Sequence, residues 1–95
     1  MTAVQEQVTP DAKRNQSVSV SHNGQNHVFD YRLEEHVEKI RVAALDYYDV
    51  RGQARHEEFL FGPDNQTELI DAATMASQAQ PGSQLYLHRR AQPGG

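Results

Sequence analysis

The stretch Ser17-Val18-Ser19-Val20-Ser21-His22-Asn23-Gly24-Gln25-Asn26-His27-Val28-Phe29-Asp30-Tyr31-Arg32-Leu33 decides the fold. Ser17 to Ser21 alternates strictly, so Val18 and Val20 share one face of a strand. Asn23-Gly24 is the dipeptide that a two-residue hairpin turn favours, because both central residues take positive φ there. Asn26 to Leu33 alternates again and places Phe29, Tyr31 and Leu33 on one side. The stretch predicts a β-hairpin with one apolar face that another element must bury.

The covering element comes next in the chain. From Glu34 to Val50 the period changes, and Val37, Ile40, Ala44 and Tyr47 recur at helical spacing. Glu34 and Glu35 fall in the first turn, where the helix dipole favours negative charge. No Ser, Thr, Asp or Asn marks the N-cap clearly, and Gly52 is the expected residue just past the C-terminus. Of Tyr47 and Tyr48, which straddle the face, one is expected in the core and the other at the surface.

The remaining elements are shorter. Glu58-Phe59-Leu60-Phe61-Gly62 reads as a third strand, with Phe59 and Phe61 on one face and Leu60 on the other. Pro63-Asp64-Asn65 is a turn, and Glu68-Leu69-Ile70 is a candidate brief fourth strand. Asp71 is placed to cap a helical turn over 72–77 with Met75 inward. Pro81-Gly82 turns the chain into a last strand, Gln84 to Arg89, with Leu85 and Leu87 inward. A hairpin, a crossing helix long enough to reach a parallel neighbour, and a returning strand give an α+β fold with the helix on one face of a mixed sheet.

Composition narrows the function. The chain has 95 residues, enough for one domain with a modest core, and no cysteine, so disulfides, thiolate metal sites and cysteine nucleophiles are excluded. No apolar run approaches the ~20 residues of a membrane span, and the N-terminus is not a signal peptide. The net charge of -4 is dispersed, which argues against nucleic acid as the main partner, and with no spanning run no membrane partner is expected. Residues 1–16 are polar and aperiodic and read as a disordered tail. The five histidines show no metal-ligand spacing, and Glu34-Glu35 and Glu57-Glu58 are adjacent pairs that read as surface charge. Without a phosphate loop or nucleophile elbow, no enzyme activity is expected.

The C-terminal stretch, Arg89-Arg90-Ala91-Gln92-Pro93-Gly94-Gly95, carries the functional signal. A terminal Gly-Gly has no side chains and is thin enough to thread a narrow channel in another protein. The element order, the Phe59-Leu60-Phe61-Gly62 strand with its turn, the Pro81-Gly82-Ser83-Gln84-Leu85-Tyr86-Leu87 closing segment and the Arg-Arg…Gly-Gly end resemble ubiquitin-like proteins. The resemblance covers about residues 17–95 and is nearest to the divergent bacterial ubiquitin-like proteins found beside activating, conjugating and deconjugating enzymes. It implies a β-grasp domain over 17–90, with a four- to five-stranded mixed sheet and one main helix, and a conjugation tail over 91–95.

The resemblance also implies a role for named residues. The Gly95 carboxylate, behind Gly94, is adenylated by an E1-like enzyme, carried as a thioester and joined to a target protein, as an isopeptide when the acceptor is a lysine amine. An E2-like conjugating enzyme and a JAB-type deconjugating peptidase are implied as further partners. No cofactor is implied for the chain itself, ATP being used by the activating partner, and the setting is cytoplasmic. Arg89 and Arg90 offer planar donors for partner carboxylates. Leu60 and His88 fall where the family presents exposed aliphatics, so a partner patch is expected there, more polar than usual. Pro93 departs from the familiar Leu-Arg before Gly-Gly and points to a different partner specificity. Two other readings stay open: a sulfur carrier of cofactor biosynthesis, also β-grasp with terminal Gly-Gly but usually shorter, and a non-conjugated β-grasp interaction module.

Overall fold

The computed structural model describes residues 15–90. The hairpin forms as its sequence predicts: β1 spans Asn15–His22 and β2 spans Gln25–Arg32, paired antiparallel from Asn15↔Arg32 to His22↔Gln25. Asn23 and Gly24 take φ of 51° and 84°, the two positive values that the turn needs. β1 includes Asn15 and Gln16, ahead of the expected Ser17, because these two residues continue the ladder opposite Arg32 and Tyr31. The rest of the expected N-terminal tail lies outside the described residues.

Helix α1 spans Val37–Tyr47, shorter than the periodic stretch. The sequence lacks a side-chain cap because the fold supplies backbone ones. Val37 N–H donates to Ala73 O at 2.9 Å and Glu38 N–H to Asp71 O at 3.2 Å, so a later segment satisfies two of the helix's orphan donors. The C-terminus closes at Asp49, not at the expected Gly52. Asp49 has φ 59°; its N–H donates to Asp46 O and Val50 N–H donates to Leu45 O. That is a Schellman closure, with Val50 and Leu45 both buried as its apolar pair. Gly52, at φ 64°, instead opens a 3₁₀ turn, Gly52–His56.

Strand β3 is Glu58–Phe61, helix α2 is a single turn at Met75–Gln78, and β4 is Gln84–Arg89. The sheet order is β2-β1-β4-β3, with β1 and β4 parallel and the other pairs antiparallel. The candidate fourth strand shrinks to one bridge, Phe61↔Glu68. Thr74, not Asp71, is the N-cap of α2, and Asp71 binds Arg41 instead at 2.8 Å.

Val18, Val20, Leu85, Leu87 and Leu60 from the sheet meet Val37, Ile40, Ala44 and Leu45 from α1, with Met75 closing one end. Burying each such side chain contributes about 1.5–3 kcal/mol. Two expectations on facing fail here: Leu33 lies past the end of β2 and is 41% exposed, and Tyr47, placed on the apolar stripe by its spacing, is 54% exposed. Of the tyrosine pair one is core and one surface as expected, and Tyr48 is the ring against the core, its hydroxyl donating to Val20 O at 2.7 Å. Leu45, which the spacing did not single out, fills the helix position that Tyr47 vacates.

Candidate partner-binding surface

The pairing of β3 with β4 determines what each side chain can reach. Leu60 sits opposite Leu87, and both are buried, at 1% and 2%. Leu60 is therefore a core residue, which corrects its expected place as an exposed anchor. By alternation Phe59, Phe61, Tyr86 and His88 share the outer face of the sheet. The expected alternation of β3 is right, but its inward and outward sides are exchanged. Pairing with a strand whose Leu85 and Leu87 point inward was the available signal.

His88 is on the outer face, as expected, and is tightly held. Its ring stacks on Phe61 with centroids 4.0 Å apart and planes 7° from parallel. Its Nε2 lies 2.7 Å from Asn65 Oδ1 and its Nδ1 2.7 Å from the Arg89 carbonyl oxygen. The stack covers Phe61, which is only 5% exposed although it is not in the central core. The surface presented is thus the half-buried His88 and Tyr86, over a fixed ring.

The two arginines differ. Arg89 is exposed and only loosely paired, its guanidinium 3.4 Å from Glu57. Arg90 is committed to the body of the domain: Nε and Nη2 donate to the two Glu68 oxygens at 2.6 and 2.8 Å, and the guanidinium lies 4.1 Å from the centroid of Phe59. That contact holds the Glu68 carboxyl below its usual range and raises the Arg90 value. His56, Glu57, Phe59, Arg89 and Arg90 line an open depression where β4 ends. Sequence reading missed Glu68, because nothing local marks a residue whose partner lies 22 positions away. Gly94 and Gly95 lie outside the described residues.

The strand order, the parallel β1–β4 pair and the single covering helix settle the architecture. The fold is the ubiquitin-like β-grasp. The N-terminal ubiquitin-like domain of the 4931431F19Rik protein superposes with a TM-score of 0.65 at 18% identity, over 88% of this chain and 83% of that one. A designed protein based on ubiquitin gives 0.67 at 16% identity, over 88% and 99%. A chain of the pParkin-pUb-UbcH7 complex gives 0.66 at 15% identity, over 80% of this ubiquitin-like chain and 23% of that one. No family model matches the sequence, and no curated protein matches it significantly.

Proposed function

We propose that this ubiquitin-like protein is a modifier whose Gly95 carboxylate is activated by an E1-like enzyme and transferred to a target protein. The observation that supports the reading most is the placement of the Gly-Gly. The ubiquitin-like domain ends its last strand at Arg89, and Gly94-Gly95 stands a few residues beyond it, with no side chain to obstruct a narrow site. Activation begins with attack of the carboxylate oxygen on the α-phosphorus of ATP, which releases pyrophosphate and leaves an acyl adenylate. A partner thiolate then displaces AMP, and a target nucleophile, such as a lysine amine, displaces the thiol. The outer face around His88 and Tyr86, with the loosely paired Arg89 beside it, is the surface offered to E1-like, E2-like and JAB-type partners in a cytoplasmic setting. Arg90 anchors the tail root and takes no direct part in recruitment.

Incubation with ATP and an E1-like enzyme from the same organism, followed by intact mass spectrometry, tests this. A covalent enzyme adduct that is lost on deletion of Gly94 and Gly95 is the expected result. A gain of sulfur for oxygen at the terminus makes the chain a sulfur carrier. No change in either form, with the enzyme active on another substrate, leaves a β-grasp interaction module. That second reading draws support from the similar N-terminal ubiquitin-like domain, which is part of a larger protein.

A further inference from the structure

The two edges of the sheet are treated differently. β3 is four residues long and the chain after it covers its free side: Phe61 bridges Glu68, Gly62 N–H donates to Thr67 O, and Leu69 N–H donates to Leu60 O. β2 has no such cover among the described residues. It is eight residues long, pairs with β1 in one unbroken register, and contains neither Pro nor Lys, the usual devices that blunt an edge.

The turn determines which backbone groups of β2 point outward. The pair flanking a two-residue turn, His22 and Gln25, is hydrogen-bonded across the hairpin, and every second pair after it is too. The outward N–H and C=O groups therefore belong to Asn26, Val28, Asp30 and Arg32. Arg32 is already engaged: its N–H donates to Glu35 Oε1 and its carbonyl accepts from Glu35 N–H, both at 3.0 Å. Asn26, Val28 and Asp30 keep theirs. An exposed apolar side chain flanks each face of this edge. Val28, 56% exposed, is on the outer face, and Tyr47, 54% exposed, is on the helix face, stacked on His27 at 3.8 Å and edge-on to Phe29 at 5.8 Å.

We propose that β2 pairs with β2 of a second copy, antiparallel and centred on Val28. In this register every free outward residue finds one: Val28 faces Val28 of the second copy, and Asn26 faces Asp30 in both directions, about six backbone hydrogen bonds in all. A shift of two residues either way loses one of these pairs. The centred register joins two exposed valines on the outer face and sets His27 against Phe29 of the second copy on the other, beside each Tyr47. It also keeps the two Asp30 carboxylates apart, where a register centred on Asp30 would oppose them. An unrelated extended peptide could share the ladder but not this match of Val28 and Asn26–Asp30. The contact is smaller than a stable interface, so the dimer forms at concentrations on the order of 0.1 mM.

Single cysteines test the register, since the chain has none. Val28→Cys brings two thiols across the axis with Cα atoms about 5.5 Å apart, within disulfide reach. Asp30→Cys leaves them about 14 Å apart. Under mild oxidation the first is expected to cross-link at least about tenfold faster than the second; equal rates, or none, overturn the proposal. Sedimentation velocity of the unmodified chain is expected to show a dimer that grows with concentration and vanishes in Val28→Lys, whose melting temperature is unchanged. A monomer throughout overturns it. So does a monomer in which a peptide of alternating Val and Thr shifts the Asn26, Val28 and Asp30 amide resonances, for the edge then takes other strands and not its own.

Discussion

The Arg90 guanidinium bridges two elements: it grips both oxygens of Glu68, at 2.6 and 2.8 Å, while lying 4.1 Å above the ring of Phe59. The residue that leaves β4 for the Gly-Gly segment is therefore tied to β3 and to the chain just after it. Arg89, only loosely paired with Glu57, is the arginine with donors to spare.

Breaking this tie has a local effect. Both partners are substantially exposed, at 60% and 30%, so Glu68→Gln is expected to leave the melting temperature nearly unchanged. The heteronuclear NOE of the Arg90 amide is expected to fall towards that of an unfolded chain. An unaltered NOE means that the backbone ladder, not the ion pair, orders the tail root.

Leu60 and Ile70 separate inside from outside. Leu60→Ala is expected to cost about 2–5 kcal/mol in urea denaturation, because the side chain is 1% exposed opposite Leu87. Ile70→Ala, at a position 59% exposed, is expected to stay within about 0.5 kcal/mol. A mild effect at Leu60 would mean that the faces of β3 are the reverse of those described.

Tyr31 carries the one buried side-chain polar atom without a hydrogen-bond partner among the described residues. Burial pushes its hydroxyl pKa up, since the phenolate is the form that loses most on leaving water. Tyr31→Phe keeps the ring and removes the orphan, and is expected to raise stability by about 1 kcal/mol. A loss of stability in denaturant titration would reveal a partner for the hydroxyl.

Asp64 organises the turn after β3. It accepts from the Thr67 hydroxyl at 2.6 Å and from the Thr67 and Gln66 N–H groups, each at 2.9 Å, which lowers its pKa from 3.8 to about 2. A depressed native value means stability that is present above pH 4 and lost as pH falls through about 2. Glu68, lowered by Arg90, acts in the same direction. Thermal melts between pH 5 and 2 are expected to fall less steeply for Asp64→Asn than for the unmodified chain. Parallel curves would remove Asp64 from the acid response.

Local rules alone determined several features of this protein. Asn23-Gly24 and the alternation on either side dictated the hairpin, because turn geometry and strand period are properties of adjacent residues. The spacing of Val37, Ile40 and Ala44 dictated a helix, and Leu85 and Leu87 dictated the inner face of β4. The Gly-Gly motif and the arginines before it were legible as they stood. Only the tertiary structure decided which face of β3 looks inward: alternation separates Leu60 from Phe59 and Phe61 but carries no sign until β4 lies beside it. The same holds for the ends of α1. Its first N–H groups are satisfied by carbonyls of Asp71 and Ala73, and its closure at Asp49 is sealed by burying Val50 on Leu45. Arg90 was readable as a cation and unreadable as an anchor, because Glu68 and Phe59 reach it only through the pairing of β3 with β4. Contacts between residues distant in sequence depend on how the elements assemble, and no window of neighbouring residues contains that information.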